Sequence, residues 1–241
     1  MKTLQPDEYL RLVEEARVAS SDRKPGKVFR CADGCYIKLF RQKRGLSSTL
    51  YSPYMQRFCR AARRLAELGI PTVRVVDAFR VKGMRQHAVK YEGLAGRPLR
   101  AHLNDPKTTH VERDRLLTGH ARFLAMLHEK GVYFRAIHLN NVIDLPDGSF
   151  GLIDLADCHF FDQPLSEWRR ARNFKPPMRY DVDRQALEAF GLDRFIATYL
   201  EAAGLSERSR TRFLADLAPL HPSLGEAATI LLRHAAPARA T

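Results

Sequence analysis

The chain has 241 residues, 45% hydrophobic and 28% charged, with 40 lysines and arginines against 27 aspartates and glutamates. That is material for one large domain or two lobes sharing a cleft, and it argues against a disordered chain. The formal net charge of +13 favours a polyanionic partner, whether nucleic acid, anionic lipid or phosphorylated sugar, over a merely solvated basic surface. The basic residues cluster in FRQKRG (40–45) and EWRRARNFKPPMR (167–179). No run approaches the roughly 18 apolar residues of a membrane span. The opening MKTLQPDEYLRLVEEAR is charged and amphipathic, without a signal-peptide core, so a cytoplasmic protein is expected. Cys31, Cys35, Cys59 and Cys158 form no CxxC pair and read as reduced thiols. Cys31 and Cys35 flank the turn Ala-Asp-Gly, where a chance disulfide is conceivable, but two thiolates make a poor metal site.

In chain order, a helix is predicted over 6–18, then two strands in GKVFRCADGCYIKLF (26–40), joined at Asp33-Gly34. The next helix has Ser52 as N-cap and Pro53 at its first position. Tyr54, Phe58, Ala61, Leu65 and Leu68 lie on one face, and Gly69 and Pro71 stop it. TVRVVDAFRV (72–81) and RQHAVKYEG (85–93) are strands, and LAGRPL (94–99) is a Gly-rich bend. Beyond residue 93 helices dominate. The first, over 111–131, has Leu116, His120, Phe123 and Leu127 at helical spacing. NNVIDLPDGSFGLIDLAD (140–157) holds two short strands around Pro146-Asp147-Gly148, and residues 182–235 read as three or four amphipathic helices before the short tail AAPARAT.

Three stretches carry chemistry. In CYIKLF, strand alternation brings the Lys38 ammonium toward a cleft; a lone strand lysine otherwise snorkels to the surface. In FGLIDLAD, Asp154 follows an apolar strand, where a carboxylate can hold magnesium against phosphate oxygens or simply form a turn. Asp157 either supports it or is solvated. In FRAIHLNN (134–141), His138 and Asn141 occupy a loop before the hairpin that leads to Asp154. His138 either lies beside a transferred group or braces the loop.

This order of elements and motifs resembles the protein-kinase-like fold. More narrowly it is similar to the bacterial lipopolysaccharide core kinases, the Kdo and heptose kinase family, especially the small toluene-tolerance-protein-like subgroup. The resemblance covers roughly residues 26–200. It implies an α+β, bilobal fold with a small β-rich N-lobe (1–92) and a mainly helical C-lobe (93–241). It also implies an ATP-dependent, Mg²⁺-requiring phosphotransferase acting on a core sugar hydroxyl, peripheral at the inner face of the cytoplasmic membrane. Lys38 would reach nucleotide phosphates, the backbone of Lys90, Tyr91 and Glu92 would receive adenine, and Asn141 and Asp154 would hold metal. Arg169, Arg170 and Arg172 would grip an anionic sugar.

The departures from the family pattern H-x-D-L-H-x-x-N are specific. Phe134 replaces the first histidine, and Ala136 replaces the aspartate that accepts the substrate proton. A positioned base contributes about 10²–10⁴ in rate, roughly 3–5 kcal/mol, while phosphoryl transfer depends mainly on positioning and charge stabilisation. Its loss therefore weakens catalysis without forbidding it, with His138 or Asp157 as substitute acceptors. The helix glutamate that would pair with Lys38 is also missing: Glu67 sits in the last turn, and Gln56 is the nearest polar substitute. Only Gly26 precedes the first hairpin where the family's Gly-rich phosphate loop would lie. A nucleotide-binding pseudokinase in envelope biogenesis is the alternative. An RNA-binding protein ranks last, since no RNP strand, KH loop or zinc-finger spacing is present.

Overall fold

The computed structural model describes residues 2–14, 17–18, 28–41, 54–83 and 86–235. Gly26, Ser52, Pro53, most of the 40–45 basic cluster and the tail from 236 lie outside them. The chain is α+β and divides into two units, Met1–Ala95 with Gly151–Asp157, and Gly96–Phe150 with Cys158–Thr241. The division expected at 92/93 thus falls slightly later. Residues 151–157, expected in the helical part, belong to the first unit instead.

Among the described residues the first unit is a six-stranded sheet with one helix on each face. Its strands are β1 (Lys2–Leu4), β2 (Arg17–Val18), β3 (Val28–Arg30), β4 (Tyr36–Arg41), β5 (Arg74–Val81) and β6 (Gln86–Glu92), in the order β1-β5-β6-β4-β3-β2. Only β1 and β5 pair in parallel among the strand pairs described. Alternation along β4 separates the two faces. Ile37, fully buried, joins Phe79, Val81 and Ala88 beneath Tyr9 of α1 (Pro6–Glu14). Tyr36, Lys38 and Phe40 point to the opposite face. There α2 (Tyr54–Glu67) buries Met55, Phe58, Ala61, Ala62 and Leu65, and Phe58 packs on Phe40 and Tyr91. The helix stops where Gly69 takes φ 70° and the Ile70 N–H donates to Leu65 O at 2.9 Å. Helix α1 is shorter than the expected 6–18, because Arg17–Val18 turns into an edge strand paired with β3.

The second unit is mainly helical. It begins with β7 (Arg97–Pro98) and α3 (Leu99–Leu103), within and just after the stretch expected as a bend. The long helix α4 (His110–Glu129) has Thr109 as N-cap, its hydroxyl accepting from the Glu112 N–H. It ends at Gly131, with φ 71°; a Cβ there would lie 2.1 Å from Phe161 O, so only glycine fits. Strand β8 (Val132–Phe134) pairs with β11 (Cys158–Phe160), and β9 (Val142–Asp144) pairs with β7. From β9 the chain turns at Leu145–Ser149 into β10 (Phe150–Leu152), whose last two residues belong to the first unit. Two short helices absent from the sequence reading follow, α5 (Glu167–Arg172) and α6 (Lys175–Met178). The stretch expected as three or four helices forms α7 (Asp181–Phe190), α8 (Leu192–Ala203), α9 (Glu207–Leu217) and α10 (Pro222–Ala235). Tyr199 and Phe213 stack at their centre, and Phe174 meets both rings edge-on.

Candidate functional site

In the first unit the sheet places Lys38 and Asp154 together although 116 residues separate them in sequence. The Lys38 Nζ donates to Asp154 Oδ1. Lys38 is held by its neighbours on β4 and β6 and by α2: its ammonium stands 5.7 Å from the ring centres of both Phe40 and Phe58. Phe58 is the α2 side chain that meets the lysine, so the expected substitute, Gln56, is displaced: it is exposed. The aromatic face gives Lys38 a favourable electrostatic surface without a second carboxylate. The Asp154 carboxylate is therefore its ion-pair partner, and that carboxylate is half exposed.

Asp154 reaches this place through a clamp that the sequence did not reveal. The Leu152 N–H donates to Pro71 O at 3.0 Å, and the Thr72 hydroxyl donates to Leu152 O at 2.9 Å. Two residues later Asp154 takes φ 58°, the only non-glycine residue with positive φ among the described residues. Such a conformation costs on the order of 1 kcal/mol or more and persists where the surroundings fix it. The 3₁₀ turn Leu155–Asp157 then packs on α2. Asp157 closes that turn, half-buried and in no ion pair with a described residue. Tyr91, stacked on Tyr36, has its phenol pushed upward by burial, with the Asp154 charge adding to it.

Lys90, Tyr91 and Glu92 are engaged differently from the expectation. Lys90 and Tyr91 pair with strands on both sides, Lys90 bridges to Asp33 (2.6 Å), and Glu92 pairs with Arg74. Backbone free of the ladder therefore begins after Glu92.

In the second unit the loop 135–141 is held from several sides. Asn141, 4% exposed, donates from Nδ2 to Ala136 O (2.9 Å), and the same nitrogen lies 3.2 Å from His138 Nε2. An amide nitrogen only donates, so His138 Nε2 accepts, and Asn141 Oδ1 is left as the atom to accept or coordinate. His138 thereby braces Asn141; its ring meets Tyr180 edge-on at 4.8 Å. Ala136 is half-buried.

Asp183 anchors this loop from α7. Fully buried, it pairs with Arg100 Nε (2.6 Å) and Nη2 (3.0 Å) and accepts the Leu139 N–H at 3.0 Å. Arg100 also covers the Tyr180 ring at 4.7 Å. At the start of the loop, Asn173 Nδ2 donates to Phe134 O (2.9 Å) and its Oδ1 accepts from His128 Nε2 (3.1 Å). His128 Nδ1 in turn accepts from the Tyr199 hydroxyl (2.9 Å), which faces Arg170. Phe134 fills the core below and is fully buried.

Arg170 is not available to a substrate. It is 2% exposed and donates to Leu165 O (2.7 Å) and Glu129 Oε1 (2.7 Å), so its expected sugar-gripping role is withdrawn. Arg169 and Arg172 are at least partly exposed and lie over the rings of Phe161 and Trp168. The four cysteines are free thiols, as expected.

Among known proteins, no family model matches the chain, and no curated protein is detectably similar in sequence. No described helix is long and apolar enough to cross a membrane.

Proposed function

We propose that the chain is a protein-kinase-like, ATP-dependent phosphotransferase whose acceptor is a sugar hydroxyl of the lipopolysaccharide inner core. The observation that carries this reading is the pairing of Lys38, on a central strand, with Asp154, at a strained turn after the second hairpin. A half-exposed carboxylate held against a single ammonium has the chemistry of a site for a metal–phosphate complex. Lys38 would hold nucleotide phosphates, and Asp154 would hold Mg²⁺. When bound, the metal would neutralise charge developing on the phosphate oxygens. Adenine would meet backbone after Glu92 rather than the laddered residues 90–92. His138 has the position of a residue that fixes Asn141, with its Nε2 lone pair already used.

The pseudokinase reading is favoured by two features, Ala136 in place of a base and Phe58 in place of an α2 carboxylate. Ala136→Asp separates the two readings. Transfer from labelled ATP to purified core oligosaccharide, slow in the natural chain, should rise by about 10²–10⁴ in the variant. No transfer by either protein, with nucleotide still bound, would support the pseudokinase.

A further inference from the structure

We infer that α5 and α9 form a face that docks on an anionic lipid surface, with Trp168 seated in the headgroup layer. Trp168 is the chain's one tryptophan and is 52% exposed. Core packing does not explain it, since its neighbours Arg170 and Ala171 supply the buried side of α5. One turn later Arg172 lays its guanidinium over the indole, 4.7 Å from the ring centre, and Arg169 does the same to Phe161 at 4.3 Å. Arg172 is exposed, and neither arginine has a carboxylate within ion-pair distance among the described residues. Helix α9 packs alongside α5 and adds exposed Arg212, beside Glu167, with exposed Arg208 one turn before it. The acid on α5, Glu167, is held low in pKa first by backbone hydrogen bonding in its own turn and then by Ser209, with Arg212 contributing, so it stays ionised and offsets one arginine of the face. Glu207 is the acid of the first turn of α9, one residue before Arg208.

The composition of the face selects its occupant. Tryptophan and arginine are the side chains that keep an apolar body and a polar end at the boundary of water and hydrocarbon. An isolated sugar is a poorer fit, because Arg172 already occupies one face of the indole on which a pyranose would stack. The arginines supply the sign of charge that anionic headgroups attract, at about fivefold in affinity for each basic residue near the surface. This inference rests on the exposed indole and the charge around it. It stands or falls apart from the phosphotransfer reading.

Because Trp168 is unique, its fluorescence reports on this face alone in the full-length protein. Titration with vesicles of phosphatidylethanolamine and phosphatidylglycerol should shift the emission to the blue, and lipids brominated in the acyl chain should quench it. Phosphatidylcholine vesicles should do neither. The double variant Arg172→Ala/Arg212→Ala, with unchanged circular dichroism, should bind the anionic vesicles about 25-fold more weakly. Vesicle binding with an unshifted tryptophan would place the contact elsewhere and overturn the inference. So would no binding at all, or an equal emission shift with single-stranded RNA or with a phosphorylated oligosaccharide.

Discussion

Replacing Asp183 by alanine should be among the most damaging single changes in the second unit. The carboxylate is fully buried and makes three hydrogen bonds, two to Arg100 and one to the Leu139 N–H. Its removal leaves a guanidinium whose side chain is 24% exposed without its anion, and a buried N–H without its acceptor. Breaking a buried pair from one side costs about 3–5 kcal/mol, of which the orphaned amide accounts for about 1–3. For a chain of this length the loss corresponds to a fall in Tm of about 6–20 °C. Thermal and urea denaturation followed by circular dichroism measure it. Asp183→Asn, which keeps an oxygen for Leu139, should lose clearly less. Arg100→Met combined with Asp183→Leu should recover part of the loss, since an apolar pair needs no counter-ion. A loss below about 1 kcal/mol for Asp183→Ala would refute the claim that this ion pair anchors the loop.

Other consequences follow from the same structure. Burial pushes His120 down to about 4 and His128 to about 3, from an ordinary 6.5. Both are thus neutral when folded, and their contribution is complete above pH 6.5 and lost as pH falls toward the folded values. Each should add a slope of about 1.4 kcal/mol per pH unit between roughly pH 6 and 4. His120, whose Nδ1 has no hydrogen-bond partner among the described residues, can be replaced by leucine to remove its share, read from urea midpoints at pH 7 and pH 5. At Asp154, glycine should be more stable than alanine by about 1–2 kcal/mol, because φ is 58° and both variants lack the carboxylate. Equal stabilities would show that the turn relaxes. Arg170→Ala should cost about 2–4 kcal/mol by leaving Leu165 O without its donor and removing one hydrogen bond each from Tyr199 and Glu129. It should leave nucleotide affinity unchanged in calorimetry.

Elements set by local pattern were legible in the sequence. The 3.6-residue spacing from Tyr54 to Leu68 gave α2, the spacing from Leu116 to Leu127 gave α4, and Asp33-Gly34 and Pro146-Asp147-Gly148 gave both hairpins. Elements that depend on a distant partner were not. Lys2–Leu4 is a strand only because β5 lies beside it, and β7 only because β9 does. The run WRRARN reads as a solvated or ligand-binding face until the fold buries Arg170 and Asn173 within it. Lys38 and Asp154 could be named from their strands, but the aromatic seat of Lys38 could not, because Phe58 reads as one more core residue of α2. Nothing in the sequence singles out Asp183, because its bonds to Arg100 and Leu139 come from tertiary packing alone.

The most direct test of the central claim is calorimetric titration of the natural chain and of Asp154→Ala with ATP, each with and without Mg²⁺. The account predicts binding that requires magnesium in the natural chain and is lost in the variant. Absence of binding under every metal condition, or equal binding by the two proteins, would contradict it and leave the Lys38–Asp154 pair a structural contact.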